Sequence, residues 1–363
     1  MNLRANVLVI GGGPAGATAA RVLAENGIDV LLLERNLSFI KPCGGGVPSS
    51  AFEEFNIPRT IIKKEVASIK LVSPRDEEII MELKGGNISI VTRGEFETVL
   101  RHLAEKRGAQ VLEGECIQIF DDNLYKTEVD CGKKKTVVVS EHIVAADGVN
   151  SRVRTVLGIK PCQAIFTVSE RINDPLTQCC EFWFGSHHAP GFYSWVFPTA
   201  QGSSFGTGTL EQGKTNVLLE RFKKRRNITQ VGQKRVYRIP VWKGDIYNKG
   251  RILFTGDSAG HVLPFTFEGI YYAMKAGELA AQAIIDNKAE KYKKMWTDRF
   301  QKRFAMMDKL KNFFFKDDAS AEKIVALHRS REVQEASMRL WLQKDSSGLG
   351  LKEYIKLFGK FLS

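Results

Sequence analysis

Three glycines, Gly11, Gly13 and Gly16, stand between the apolar run NVLVI at residues 6–10 and the stretch ATAARVLAEN, which stops at Gly27. A continuous apolar run of this length marks a strand covered on both faces of a parallel sheet. The stretch after it has helical spacing, and glycine is a common residue just past a helix end. DVLLL at residues 29–33 gives a second buried strand, closed by Glu34-Arg35. The chain therefore opens as a βαβ unit around a GxGxxG turn. Glycine in that turn lets the backbone approach a pyrophosphate and lets the helix pack closely, while the helix N-terminus favours phosphate charge. A carboxylate ending the second strand takes ribose hydroxyls, and Glu34 lies eighteen residues past Gly16. Gly11, Gly13, Pro14, Ala15, Gly16, Glu34 and Arg35 are thus expected around a dinucleotide, with NAD and FAD both open at this point. Glu34 favours a free 2′-hydroxyl, an inference softened by the neighbouring Arg35.

Length leaves room for more. A chain of 363 residues with 43% hydrophobic content can build two to three cored domains. Residues 66–91 alternate apolar and polar around Gly85-Gly86-Asn87, predicting antiparallel strands. Residues 94–107 return to helical spacing, 110–145 to strands, and 165–239 to short strands rich in aromatics. Residues 250–285 restore the opening style, a strand followed by a long helix from about Gly269. The expected fold class is α/β with α+β composite character. It comprises a Rossmann-like domain of three-layer β-β-α character (1–65, 92–164 and 246–288) and an inserted antiparallel-sheet substrate domain (66–91 and 165–245). A basic helical C-terminal region covers 289–363.

Two later stretches separate FAD from NAD. Ala145-Ala146-Asp147-Gly148-Val149-Asn150-Ser151-Arg152-Val153-Arg154 follows a strand, as does Gly256-Asp257-Ser258-Ala259-Gly260. After Pro264, Glu268-Gly269-Ile270 opens a helix, whose positive end can face the carbonyl edge of a reduced flavin. With the N-terminal fingerprint and Arg93, these stretches resemble the FAD-dependent oxidoreductases that include aromatic hydroxylases, halogenases and geranylgeranyl reductases. The resemblance implies FAD, with Arg93 along the cofactor, Asp147-Gly148 organising the dinucleotide pocket and Asp257 at the ribityl-side hydroxyls. Gly256, Gly269 and Ile270 complete the expected cofactor contacts.

Three further stretches resemble the geranylgeranyl reductase branch. They are Lys41-Pro42-Cys43-Gly44-Gly45-Gly46, then Tyr193-Ser194-Trp195-Val196-Phe197-Pro198 with Gly206-Thr207-Gly208-Thr209, and the helix from Glu268 to Gly277. The resemblance covers roughly residues 5–285. It implies reduction of C=C bonds in a prenyl or other lipid substrate, with Cys43, Gly44 and Gly45 in the loop over the flavin. Cys43 is the candidate catalytic thiol, as proton donor or steric gate. Tyr193, Trp195, Phe197 and Phe267 are the candidate lipid-chain wall, read against plain β-sheet core. The sequence departs from the branch at Thr199, where lysine is usual, and at Phe267, where glycine is usual. A monooxygenase or halogenase acting on an aromatic substrate is the alternative, although no paired-lysine or WxWxIP-like feature is evident.

A formal charge of +12 favours an anionic partner. Basic residues interleaved with acids, without a base-stacking motif, argue against nucleic acid. With one dinucleotide fingerprint only, the electron donor is expected to be transient NADPH or a reduced, acidic ferredoxin-like protein. Residues 291–316 place Met295, Trp296, Phe300, Phe304, Met307, Leu310 and Phe314 along one side of a basic helix, expected to pack inward. The similar stretch 351–361 is expected to touch an anionic membrane. Met1–Arg4 lead straight into the first strand and no apolar run reaches about 20 residues. The expected location is cytoplasmic or peripheral on a membrane. The six cysteines show no metal or CxxC spacing, so reduced thiols and no metal are expected, with Cys179 and Cys180 on two faces of one strand. His187, His188 and His261 read as polar loop residues.

Overall fold

The computed structural model describes residues 2–132, 134–342, 344 and 349–359. The chain forms two compact units, each assembled from three segments. The first comprises Met1–Ile40, Gly94–Ala164 and Ile239–Lys302, and the second Lys41–Arg93, Ile165–Arg238 and Arg303–Ser363. Residues 41–65 and the helical C-terminal segment thus group with the antiparallel segments.

The first unit holds a six-stranded sheet. Its order is Asn248–Lys249, Ile252–Phe254, His142–Ala145, Val7–Ile10, Val30–Glu34 and Gln110–Glu113, parallel apart from the short edge strand. Leu8, Ile10, Leu31, Leu33, Ile143 and Ala145 alternate onto one face. There they meet Cys116, Ile119, Tyr125, Val129 and Val138 of a second, four-stranded sheet. Burial pushes the Cys116 thiol up to about 12. The helices Pro14–Glu25 and Ile270–Ile285 supply the third layer. The β-β-α layering follows from period-2 apolar strands that need cover on both faces.

The second unit is built on a seven-stranded sheet ordered Gln233–Pro240, Ala164–Ile172, Ser203–Thr209, Ser194–Pro198, Cys180–Trp183, Ser68–Val72 and Glu78–Glu82. The helix Thr215–Arg226 covers one face, packing Leu219 and Phe222 on Val168, Val196 and Phe205. Gly85–Asn87 marks a change of sheet rather than a turn within one. Ile88–Val91 leaves the seven-stranded sheet and pairs with Gly46–Pro48 and Ile62–Val66. Cys179 lies just outside the strand that Cys180 begins, so the two do not share a strand. None of the six cysteines forms a disulfide.

The helix Tyr292–Phe314 buries Trp296, Phe300, Phe304, Met307, Leu310 and Phe314, the inward side that its spacing predicts. In the terminal helix Leu349–Phe358, Tyr354 and Phe358 are buried and stack on each other, with Phe358 also against Phe314 and His328. Residues 360 and 361, the end of the stretch expected at a membrane, lie outside the described residues. Among the described residues, no helix is long and apolar enough to cross a membrane.

Candidate functional site

The parallel sheet gathers motifs that the sequence scatters. Ile10 pairs with Leu33 and Ala145, and Ala145 pairs with Phe254. The strands therefore release Gly11–Gly16, Glu34, Ala146–Gly148 and Gly256–Gly260 at one carboxyl edge, where open α/β sheets bind ligands. Gly11 has φ +106°, and a Cβ there would lie 2.4 Å from the Ala146 carbonyl oxygen. A Cβ on Gly16 would lie 1.9 Å from the Gly11 oxygen, so this turn accepts no side chain. Above Gly13, in contrast, the nearest atom is Glu97 Oε1 at 3.8 Å from a built Cβ. Gly13 caps the helix that Pro14 opens. First-turn N–H groups have no partner within their helix, so they suit a pyrophosphate. This cradle fits the dinucleotide of FAD.

Side chains lock the edge. Glu34 accepts from the N–H of Gly12 (2.7 Å) and of Asn36 (3.1 Å), which holds its carboxylate beside the turn. Arg101, buried on the helix Arg93–Glu105, donates to the Gly12 and Leu37 carbonyls at 3.3 and 3.2 Å. Sequence reading missed Arg101; its only signal was a basic residue on the inward side of a helix. Arg93 begins that helix and is buried, whereas Arg35 is exposed. Asp147 accepts from the Ser151 hydroxyl (2.7 Å) and the Val153 N–H (2.9 Å), and burial raises its pKa against those bonds. Its carboxylate thus shapes the turn after Ala146. Arg154, 1% exposed, donates to the Ser258 carbonyl and to Asp245, both at 2.9 Å. The Ser258 hydroxyl reaches the Ala145 carbonyl at 2.7 Å, so the second and third motifs are tied twice.

The third motif sets the start of the helix Ile270–Ile285. Asp257 Oδ1 lies 3.6 Å from a built Cβ on Gly269, the residue capping that helix. Phe265 and Phe267 take φ of +83° and +53°, a left-handed backbone that is uncommon for aromatic residues. His261 closes this loop through its N–H to the Gly256 carbonyl (2.9 Å). It is fully buried and stacked on Trp296, with centroids 4.4 Å apart. Burial lowers its pKa to about 3, and neither ring nitrogen has a hydrogen-bond partner among the described residues.

In the second unit, Gly44 and Gly46 lie against the Phe197 ring; a Cβ on Gly44 would sit 2.6 Å from it. The Cys43 carbonyl accepts from Arg171 Nη2 at 3.3 Å. Trp195 and Phe197 point to the sheet face opposite the helix Thr215–Arg226. Their neighbours there are Phe182, at 5.3 Å centroid distance from Phe197, and Gly206, whose built Cβ would lie 2.5 Å from the Trp195 ring. Tyr193 stacks on Phe192 at 4.7 Å, and Trp341 meets Phe182 edge-on. Tyr193, Trp195 and Phe197 therefore share one aromatic face, while Phe267 belongs to the first unit. Thr199 turns the chain between two strands of this sheet, accepting the Gly202 N–H on its hydroxyl.

Two of the three histidines read as polar loop residues are not polar surface. His261 is described above, and His188 is fully buried between Ser194 Oγ (2.7 Å) and Arg225 Nη1 (2.7 Å). Burial and the Arg225 charge lower its pKa to about 3, so Nε2 accepts from the guanidinium and Nδ1–H donates to Ser194. His187 is exposed. Among the described residues, no group of three or more His, Cys, Asp or Glu is placed to hold a metal.

The FAD binding domain family matches residues 4–287. Geranylgeranyl diphosphate reductase of Arabidopsis thaliana, described as chloroplastic, is 31% identical over 98% of this chain and 84% of its own length. Digeranylgeranylglycerophospholipid reductase of Methanosarcina acetivorans is 29% identical over 93% and 91%. The crystal structure of a geranylgeranyl bacteriochlorophyll reductase-like protein from Thermoplasma acidophilum superposes with a TM-score of 0.87. It covers 99% of this chain and 100% of its own, at 24% identity. A flavin-dependent brominase superposes at 0.79 and 15% identity over 98% of both chains, which shows shared fold alone. The chain thus belongs to the geranylgeranyl reductase family of FAD-binding oxidoreductases.

Proposed function

We propose that this enzyme uses reduced FAD to saturate C=C bonds of a prenyl chain or prenyl lipid. The observation that carries the reading is the reach of the reductase similarity, which runs at 31% identity over 98% of the chain and so through the aromatic sheet as well as the FAD unit. A flavin-dependent brominase, a flavin-dependent halogenase and a p-nitrophenol 4-monooxygenase match at 15 to 17% identity.

Saturating an isolated alkene adds a hydride and a proton, and reduced FAD, when bound, supplies the hydride. The remaining tasks fall to the chain. The N–H groups of Gly13, Ala15 and Gly16 hold the pyrophosphate, Glu34 the adenosine ribose and Asp257 the ribityl side, and the start of the helix at Gly269-Ile270 steadies negative charge. Gly11, Pro14 and Ala15 shape the cradle, Asp147-Gly148 its floor, and Arg93 with Arg35 its flank. Phe197, with Tyr193 and Trp195, supplies an apolar wall that excludes water. Cys43, beside Gly44 and Gly45 and half-buried, is the proton donor. Electrons come from NADPH or a reduced ferredoxin-like protein. The enzyme works in the cytoplasm and collects lipid at a membrane surface through the exposed side of its terminal helix, where Ile355 is 42% exposed.

The test is anaerobic reduction of the flavoprotein followed by addition of polyprenyl diphosphates and prenyl lipids. Flavin reoxidation with formation of the saturated chain is expected. Inertness toward every prenyl alkene, with substrate-stimulated oxygen consumption on an aromatic compound, would replace the reading by monooxygenation. Cys43→Ser should cut turnover; full turnover with unchanged substrate preference removes the thiol from the mechanism. Liposome flotation with and without residues 351–363 tests the membrane contact, and equal binding of both forms removes it.

A further inference from the structure

The two faces of the seven-stranded sheet treat positive charge differently. On the face under the helix Thr215–Arg226, cations meet buried carboxylates. Lys223 and Lys234 lie 3.2 and 3.7 Å from Glu170, and Arg226 and Lys70 lie 3.0 and 3.5 Å from Glu181. Both glutamates are 1% exposed. The aromatic face has the opposite pattern. Arg171 alternates onto it from the strand Ala164–Ile172, half-buried, and its one side-chain bond among the described residues goes to the uncharged Cys43 carbonyl. Arg235 and Tyr237 alternate onto the same face from the neighbouring edge strand, which the Thr167 hydroxyl joins through the Tyr237 carbonyl. Among the described residues, the side-chain bond of Arg235 goes to the neutral Gln233 amide oxygen. Lys41 holds its ammonium 4.9 Å from the centre of the Tyr237 ring.

A half-buried guanidinium without a carboxylate keeps most of its forked donors for something else, and that fork matches phosphate oxygens. On this face the cations are continuous with Phe197 and Phe182, so one surface has an apolar run and a cationic end. We infer that Arg171 and Arg235, with Lys41 and Tyr237, bind the phosphate-ester head of the prenyl substrate, while its chain lies along Phe197 and Phe182. This deepens the reductase reading and rests on it. The same chemistry serves a free prenyl diphosphate or the phosphate of a prenyl glycerolipid.

The experiment compares wild type, Arg171→Gln and Arg235→Gln as FAD-loaded protein. Glutamine at 171 can still donate to the Cys43 carbonyl, so the charge is removed while the loop contact is kept. With geranylgeranyl diphosphate, KM should rise about tenfold or more in each variant, the effect expected for a lost charged hydrogen bond. With geranylgeraniol, which has no phosphate, kcat/KM should stay within about twofold of wild type, because the apolar wall is untouched. An equal loss on the alcohol overturns the assignment, since it would mean general damage to the face. A third arm, digeranylgeranylglyceryl phosphate, identifies the source: the ester whose KM responds to Arg171 is the natural head. Binding of inorganic diphosphate to the oxidised holoenzyme is measured in parallel and does not depend on alkene reduction. Weaker binding in both variants supports the site even if the reductase reading fails; unchanged binding overturns it.

Discussion

Gly277→Ala sets two well-understood effects against each other. Gly277 lies inside the helix Ile270–Ile285, where alanine is better than glycine by about 0.8–1.0 kcal/mol. Propensity alone therefore predicts a more stable protein. The structure predicts the reverse. A Cβ at 277 would lie 2.1 Å from the Ala15 carbonyl oxygen and 3.0 Å from its carbon, both backbone atoms that no rotamer change can move. Restoring ordinary contact parts this helix from Pro14–Glu25 by roughly 1 Å, and overpacking of that kind costs about 1–3 kcal/mol. Because backbone meets backbone, the upper end applies, leaving a net loss of about 2 kcal/mol after the propensity gain. The atoms displaced belong to Ala15, in the turn proposed to hold the pyrophosphate, so FAD should bind about tenfold more weakly as charged hydrogen bonds lengthen. Thermal unfolding of the apoprotein reads the packing loss, and flavin fluorescence titration reads the affinity. A higher Tm with unchanged FAD affinity would refute the reasoning, because the helices would then not be in contact through this glycine.

Phe267, with φ of +53°, supplies a second inversion. Phe267→Gly should be more stable than Phe267→Ala by about 1 kcal/mol in urea unfolding, because both remove the ring but only glycine accepts the left-handed backbone without strain. The buried histidines make stability depend on pH. His188 and His261 titrate near 3 when folded, against an ordinary value of 6.5, so the unfolded chain binds more protons in that window. Their contribution is complete above pH 6.5 and is lost as pH falls toward 3, about 2 kcal/mol per histidine by pH 5. Urea unfolding at pH 7 and pH 5 should show that loss, and His261→Phe, which keeps the stacking on Trp296, should remove about 2 kcal/mol of it; an unchanged slope would mean the ring is not buried neutral. Arg154→Met should cost about 3 kcal/mol, since it strips donors from the Ser258 and Lys160 carbonyls. It should also lower the FAD content of purified protein, and full retention of both would deny its role as a tie.

What could be read from the sequence was what is encoded locally. The GxGxxG turn, the strands beside it and the acid at Glu34 carry their constraint in adjacent residues, because steric demand on a turn excludes every side chain but hydrogen. The inward side of Tyr292–Phe314 was equally legible, since helical spacing alone places Trp296, Phe300 and Phe304 together. Arg101 was not, because what makes it matter is a carbonyl 89 positions away. The same holds for Arg154, whose partner Ser258 is 104 positions distant. His188 and His261 misled for a related reason. Each follows glycine and small or polar residues, which suggests a surface turn, yet both turns are covered by aromatic side chains arriving from elsewhere in the chain, Phe222 and Trp296. Ile88–Val91 looked like a continuation of the strands before it because alternation specifies a strand but not its sheet.

The aromatic and glycine stretches that linked this chain to its family turn out to be one constraint seen twice. Gly206 and Gly208 lie where the rings of Trp195 and Phe192 cross the neighbouring strand; a Cβ at either would come within 2.5 and 2.9 Å of those rings. Gly44 and Gly46 stand in the same relation to Phe197. Large rings laid flat across a strand require missing side chains beneath them, so the glycines come with the aromatics whatever is bound above. This divides the proposed wall. Trp195 and Tyr193 are each 9% exposed and already engaged with Gly206 and Phe192, so their first duty is to hold the sheet face flat. Phe197 and Phe182 keep exposed edges on that face and are the rings with surface left to offer a chain. In the proposed site, selectivity therefore rests on those two phenylalanines with Arg171 and Arg235 beside them, while the more distinctive tryptophan and tyrosine define the platform on which they stand.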